Sequence, residues 1–320
     1  MQPLSKTFAR ADALVFGCMG LGGEWDAPQI TAEARRLAFQ ALDCAFEQNF
    51  NVFDHADIYT RGKAELIFGE YLALHPGLRE QIWLQTKCGI RFKDAQSVGR
   101  YDFSAGYIRQ QVELSLRQLQ TDYLDMLLLH RPDPLMEIAE VAMVLQALQQ
   151  EGKVRHFGVS NFGAPQLQLL QSALSQPLLV NQLEMSLANI AWLEHNVLTG
   201  MEQGAAHFFG YGTLEYCQQH HIQIQAWGSL AQGLFTGGKT PQTPAQQHTA
   251  ELVQQLAALY QCSPEAIVLG WLLRHPAGIQ PVIGTTNPAR IKACAEARQV
   301  NLSREHWYSL YVASRGAPLP

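Results

Sequence analysis

The sequence predicts an α/β protein built as one closed (β/α)8 barrel of parallel strands, and three observations predict it. Short apolar runs alternate with amphipathic helical stretches along the whole 320-residue chain, the pattern of parallel strands joined by crossover helices. Tyr123-Leu124-Asp125-Met126-Leu127-Leu128-Leu129 is too apolar for a strand with one wet face and fits a sheet covered on both sides. The rhythm runs through about eight strands with no domain-scale break in composition, which favours a barrel over an open doubly wound sheet.

Taken in order, residues 8–23 read as one or two short strands that end among Gly17, Gly20, Gly22 and Gly23. A dinucleotide fingerprint counted from Gly20 and Gly22 would need glycine where Trp25 stands, so that pattern fails. From Thr31 a helix is expected, because Leu37, Ala38, Ala41, Leu42, Ala45 and Phe46 share one face at three- and four-residue spacing. Asn51-Val52-Phe53-Asp54 is the next strand. A helix over 62–74 follows, with Ala64, Ile67, Phe68 and Tyr71 as its stripe and Pro76 and Gly77 as its stop.

A strand over 82–86 delivers Lys87. Ser104 can cap a helix expected to bury Ile108, Val112, Leu116 and Leu119, and the apolar run after it ends at His130. The spacing predicts a helix over 135–150, a strand over 154–159 ending at Ser160 and Asn161, a helix over 164–174, and a strand from Leu178 that delivers Gln182. Residues 184–212 read as a long loop, of the kind that commonly serves as a lid or binding element. A helix over 213–220 and a strand over 222–226 restore the alternation and deliver Trp227.

Residues 228–249 read as a second irregular rim segment. Within it, Gly233 to Thr240 satisfies the G-x-x-x-x-G-K-T pattern of a phosphate-cradling loop. That loop requires a helix to begin at its end, and Pro241 and Pro244 stand in the way, so nucleotide hydrolysis there is not expected. Ser263-Pro264-Glu265 opens a helix that Pro276 closes. A strand over 280–283, then Gly284-Thr285-Thr286, a helix opened by Asn287-Pro288, a last helix over 303–314 and a tail over 315–320 complete the single domain.

Composition excludes several classes. Hydrophobic content of 47% with 16% charged residues describes a chain able to bury a sizeable core. Twenty-three Lys and Arg against 28 Asp and Glu give a net charge of -5, and no dense basic cluster could follow a phosphate backbone, so nucleic acid is not an expected partner. The sequence shows neither an apolar leader nor a membrane-length apolar stretch, and a cytoplasmic location is expected. Its six cysteines are scattered without C-x-x-C or zinc-site histidine spacing, which predicts reduced thiols and no metal. Oligomeric state is not legible.

In a parallel barrel the C-terminal strand ends share one rim, and catalysis sits there. The residues at those exits are Asp54, Lys87, His130, Ser160 with Asn161, Gln182, Trp227, and Gly284 with Thr285. Asp54, Lys87 and His130 with Tyr59, five residues past Asp54, suggest acid catalysis by a phenol. A free phenol holds its proton until about pH 10. A nearby ammonium lowers that value, and a carboxylate keeps the ammonium charged. Lys87 and Asp54 fit these two roles, and His130 could orient a substrate oxygen.

Phe53-Asp54-x-Ala56-x-x-Tyr59, Lys87 after a strand, Leu129-His130, Gly158-Val159-Ser160-Asn161-Phe162 and Gln182 resemble the aldo-keto reductases. The match runs from about residue 17 to 297. The family is a (β/α)8 barrel of NADPH-dependent carbonyl reductases. The resemblance implies Tyr59 as general acid, Lys87 as its tuner, Asp54 as the partner of Lys87, His130 as the carbonyl-orienting residue, and NADP(H) as cofactor with a small carbonyl compound as substrate. It further implies Ser160, Asn161 and Gln182 as carboxamide ligands and Trp227 as the ring stacked on the nicotinamide. Read alone, Trp227 is equally a core residue.

The segment after Trp227 departs from the family's usual aromatic-Ser-Pro-Leu. It reads Gly228-Ser229-Leu230, so the resemblance leaves backbone contacts from Ser229 and Leu230 for the pyrophosphate. Gly284, Thr285, Asn287 and Arg290 lie where many members hold the adenosine 2'-phosphate. Thr285, Thr286, the helix start at Pro288 and the charge of Arg290 make a plausible anion site. Gly284 replaces a frequent lysine there and Cys294 a frequent asparagine. Trp25, Phe92, Trp192 and Phe208 are candidate substrate-lining aromatics. Two other readings stay open: a Schiff-base lyase with Lys87 as nucleophile, and a sensor subunit that binds NADPH and turns over slowly.

Overall fold

The computed structural model describes residues 3–8 and 10–320. Its strands are β1 Val15–Gly17, β2 Val52–Asp54, β3 Trp83–Cys88, β4 Ile90–Arg91, β5 Arg100–Tyr101, β6 Leu124–Leu129, β7 Val154–Ser160, β8 Leu178–Glu184, β9 Gln223–Trp227 and β10 Gln280–Ile283. Eight of them close into a barrel in the order β1-β10-β9-β8-β7-β6-β3-β2, while β4 and β5 form a separate two-stranded hairpin. All eight barrel pairings are parallel. The closed barrel that the alternation predicts is therefore the fold.

The helices are α1 Ala32–Glu47, α2 Lys63–Leu74, α3 Ala105–Leu119, α4 Ile138–Gln150, α5 Ala164–Ala173, α6 Ala191–Val197, α7 Thr213–Gln219, α8 Pro244–Tyr260, α9 Pro264–Leu273, α10 Pro288–Ala295 and α11 Arg304–Arg315. Their starts follow local chemistry. Thr31, Thr243, Ser263, Asn287 and Ser303 accept backbone N–H bonds as N-caps, and proline occupies the first turn of α8, α9 and α10. Ala38, Ala41, Leu42 and Ala45 of α1 are buried as expected, but Leu37 is 48% exposed and belongs to the outer face.

Two expected loops are shorter than the sequence suggests. Residues 184–212 contain α6, whose Trp192 is fully buried against Trp271 with ring centroids 5.6 Å apart. The stretch from 228 is irregular only to Thr243, because Pro244 starts a helix instead of blocking one. No helix begins at Thr240, the end of the phosphate-loop pattern. No single described helix is long and apolar enough to cross a membrane. The six cysteines are free, and only Cys262 is not fully buried.

Strand side chains alternate, so residues two apart share a face. The barrel interior is consequently layered. At the N-terminal end Leu4 and Phe8 pack with Met126, Leu128 and Val180, and the Phe8 ring stacks on Trp83 at 4.3 Å. Burying a side chain such as Phe8 is worth roughly 2 kcal/mol, so this plug stabilises the closed end. Val15, Val52 and Val282 form a second apolar cluster. Beyond these lie buried glutamines, and then the polar rim.

Candidate active site

The two-residue period explains which side chains meet. Gln85 and Lys87 of β3 share a face, as do Gln225 and Trp227 of β9, so the last inward residue of each strand reaches the C-terminal rim. There Asp54, Tyr59, His130, Ser160, Asn161 and Gln182 line one cavity of about 840 Å³ together with Trp227. Its walls continue past Ser229 and Leu230 to Gly284, Thr285, Asn287 and Arg290. Lys87 differs: it is 1% exposed and lies behind the wall.

Lys87 Nζ donates to Asp54 Oδ1 at 2.6 Å and to the carbonyl of His55 at 2.8 Å, and it sits 5.0 Å from the Tyr59 ring centroid. Burial works to lower the Lys87 ammonium, and Asp54 and Tyr59 outweigh it, so the group is held above its ordinary value and stays protonated. For Tyr59 the expected lowering does not prevail. Burial pushes the phenol up to about 12, and the attraction of Lys87 only partly offsets that. The phenol therefore keeps its proton throughout the neutral range.

The turn that presents Tyr59 is strained. Thr60, Arg61 and Gly62 follow it with φ of 45°, 57° and 84°, and a β-branched residue in the left-handed region is a real outlier. Such residues cost about 1–3 kcal/mol each and persist where surrounding contacts hold them. Here Lys63 Nζ grips the carbonyls of Glu24 at 2.5 Å and Ala27 at 2.6 Å, and Arg61 pairs with Asp26 at 2.8 Å. Gly22 must be glycine, since a Cβ there would lie 2.0 Å from Thr60 Oγ1. Loop 22–27 thus clamps the turn and fixes where the phenol points.

Burial, and then the charges of Lys87 and Arg131, hold the His130 imidazole down to about 2, so the ring is neutral. Its Nδ1 is buried without a partner. An unpaired acceptor costs less than an unpaired donor when a donor could instead face the cavity, so the proton belongs on Nε2. Behind the ion pair, burial pushes Glu65 up to about 7, against the Thr86 hydroxyl that donates to its Oε1 at 2.6 Å.

That shift makes a stability prediction. Glu65 has a folded value above its unfolded one, so its neutral form contributes stability that is whole below about 4.5 and lost as pH rises through 7. Glu65→Gln should match wild type in urea unfolding at about pH 4.5 and gain on the order of 3 kcal/mol by about pH 8. A gain that does not grow with pH contradicts the assignment.

The amide cluster is almost fully committed. Asn161 Nδ2 donates to Ser160 Oγ at 2.8 Å and to the carbonyl of His130 at 3.3 Å, and Ser160 Oγ donates to the carbonyl of Gln182 at 3.0 Å. Trp227 Nε1 donates to Asn161 Oδ1 at 3.0 Å. Gln182 Nε2 is used by Asp54 at 3.2 Å and Gln225 at 3.1 Å. What remains toward the cavity is acceptor capacity on Gln182 Oε1, Asn161 Oδ1 and Ser160 Oγ. That set fits the NH2 group of a carboxamide.

The far end of the cavity is less open to an anion than expected. Asn287 Oδ1 already accepts from the N–H groups of Ala289 and Arg290, Thr285 Oγ1 accepts from Asn287, and Arg290 pairs with Glu265 at 3.3 Å. The Ser229 hydroxyl donates to the carbonyl of Val282 at 2.8 Å, leaving only its backbone free for a phosphate. No group of three or more metal-ligating side chains comes together among the described residues.

The family model described as Aldo/keto reductase family matches residues 13–311. The chain belongs to this family. Among relatives of this aldo/keto reductase, the uncharacterized oxidoreductase YcsN of Bacillus subtilis is 38% identical over 87% of the chain and 88% of that protein. A 6-dehydroglucose reductase of Agrobacterium fabrum is 37% identical over 95% of the chain and 94% of that protein. A solved aldo-keto reductase from Klebsiella pneumoniae, in complex with NADPH, superposes with a TM-score of 0.75 at 25% identity, over 97% of this chain and 92% of its own.

Of the four aromatics expected to line the reductase's substrate side, only Trp25 does so, joined by Met19, Ile58 and Ile90. Phe92 stands behind it, edge-on at 6.4 Å. Trp192 is core, and Phe208 is 77% exposed beside His195 and Tyr211, away from the cavity. Arg131 was not singled out by the sequence, although it lines the cavity with its guanidinium 5.6 Å from the Trp227 ring centroid. Its position next to His130 was the available signal.

Proposed function

We propose that the chain is an NADPH-dependent reductase that converts an aldehyde or ketone to an alcohol, with Tyr59 as general acid. One observation carries the reading: the Asp54–Lys87–Tyr59 contacts open onto a cavity whose other side offers amide and hydroxyl oxygens with acceptor capacity to spare. The NADPH-bound Klebsiella pneumoniae relative and the Agrobacterium fabrum 6-dehydroglucose reductase support it.

NADPH, when bound, supplies the hydride. Gln182, Asn161 and Ser160 would hold the carboxamide, Trp227 would stack on the ring, and the Ser229–Leu230 backbone with Gly284, Thr285, Asn287 and Arg290 would receive the phosphates. The Tyr59 O–H and the His130 Nε2–H would both donate to the substrate oxygen. As that oxygen becomes an alkoxide it becomes a far stronger base than a phenolate, so the Tyr59 proton passes to it despite the phenol's raised value. The phenolate left behind lies beside the Lys87 ammonium, which stabilises it.

The state of Lys87 argues against a Schiff-base lyase. A nucleophilic lysine needs its proton removed, whereas this one is held charged and lies out of reach of the cavity.

The test is consumption of NADPH, followed by its absorbance, over a panel of aldehydes and ketones. If NADPH quenches Trp227 fluorescence but no carbonyl compound is reduced, the sensor reading replaces this one. Arg290→Ala should raise KM for NADPH about tenfold and leave NADH nearly unchanged, as expected for losing one charge-assisted phosphate contact. Equal effects on both cofactors would remove Arg290 from the 2'-phosphate site.

A further inference from the structure

Below the rim the barrel interior holds a chain of glutamine amides with no free N–H among three of its members. Gln85 Nε2 donates to Asp54 Oδ1 at 2.6 Å and to Gln225 Oε1 at 2.8 Å. Gln182 Nε2 donates to the same two oxygens. Gln225 Nε2 donates to Gln85 Oε1 at 3.1 Å and to Gln280 Oε1 at 2.9 Å. Each side-chain amide has two N–H groups, and in all three residues both are spent. Gln280 Nε2 then donates to the carbonyl of Asp12 at 2.6 Å, at the other end of the barrel.

Gln85, Gln225 and Gln280 are each no more than 2% exposed, and a core of aliphatic side chains would fill the same space without the need to satisfy four amides. The array ends on one oxygen. Asp54 Oδ1 accepts from Lys87, Gln85 and Gln182 together, so three N–H donors converge on the one oxygen that ion-pairs with the lysine. Amides neither ionise nor relay protons near neutrality, so the array works by holding a fixed orientation.

We propose that Gln85, anchored by Gln225 and Gln280, is a positioning residue that locks the Asp54 carboxylate as the anion to which Lys87 is tied, and through Lys87 places the ammonium against Tyr59. The inference rests on the reading of Tyr59 as the general acid.

The experiment compares Gln85→Leu and Gln85→Glu with wild type, after wild type has been shown to reduce an aldehyde. Gln85→Leu removes the donor at nearly constant volume. Its kcat should fall about tenfold or more, the scale of a lost hydrogen bond to a charged group, while NADPH affinity from Trp fluorescence stays within about twofold. Gln85→Glu provides a pH readout that a structural role would not move. Beside Asp54 the new carboxyl is protonated at lower pH, where it donates to Oδ1 and kcat approaches wild type. As it ionises, two carboxylates face each other and kcat should drop about tenfold, giving a descending limb that wild type lacks.

A Gln85→Leu kcat within about twofold of wild type, or a Gln85→Glu profile superimposable on wild type, overturns the proposal. If Gln85→Leu fails to fold, the Gln85→Glu profile decides alone. Absence of any carbonyl reduction by wild type would instead remove the reductase reading, which keeps the two failures apart.

Discussion

Tyr59→Phe should bind NADPH within about twofold of wild type and lose roughly 10²–10⁴-fold in carbonyl reduction, the range that a general acid contributes. The ring that lines the cavity and faces Lys87 at 5.0 Å is retained, so packing and the cation's approach to the aromatic face survive. Only the O–H is lost. The His130 Nε2–H then stands alone at the substrate oxygen, and it cannot take over as an acid because its imidazole, held down to about 2, is already neutral, and giving up the Nε2 proton would leave an imidazolate.

The pH dependence follows from the same groups. With Tyr59 pushed up to about 12 and His130 down to about 2, neither changes charge in the neutral range, so neither should put a limb on wild-type kcat there. A bell centred near neutrality, or unchanged turnover in Tyr59→Phe, would remove the phenol from the chemistry.

The rim was legible because closure and the two-residue period together decide where a strand's last inward side chain goes. Asp54, Lys87, His130, Ser160, Gln182 and Trp227 each follow an apolar run, and a parallel barrel can only gather such residues at one end. The glutamine layer carried the same signal one step lower. Gln85 lies two before Lys87 and Gln225 two before Trp227, so the period that selects the rim residue also selects the amide beneath it. Reading only the exits passes over it, because a polar residue inside an apolar run looks like an exception.

Other features lay outside the pattern altogether. Whether a side chain is free cannot be read from its type: the Ser229 hydroxyl is spent on Val282, and Asn287 on its own helix. The left-handed run at Thr60 and Arg61 has no local marker beyond Gly62, since it depends on Lys63 reaching three carbonyls of the preceding loop. The direction of the Tyr59 shift was missed because charge proximity is visible in a sequence and depth of burial is not. The ammonium acts as expected, but it acts on a group already displaced the other way.

Removing one member of the buried ion pair should cost more than the residue's own contacts suggest, and the two members should not cost alike. Breaking a buried pair leaves an uncompensated charge, at about 3–5 kcal/mol. In Asp54→Asn the Lys87 ammonium loses its counter-charge and keeps only neutral acceptors and Tyr59 beside it, and burial, no longer outweighed, favours loss of its proton. In Lys87→Met the Asp54 carboxylate keeps the Gln85 and Gln182 donors on Oδ1. Asp54→Asn should therefore lose about 3 kcal/mol or more in urea unfolding near neutral pH, and Lys87→Met less. The double variant should cost less than the sum by about 1–3 kcal/mol, since neither unmatched charge is left in it. All three should lose carbonyl reduction to a similar extent, because each removes the ammonium from Tyr59. Additive losses, or a costlier Lys87→Met, would mean that the amides do not support Asp54 in the absence of the lysine.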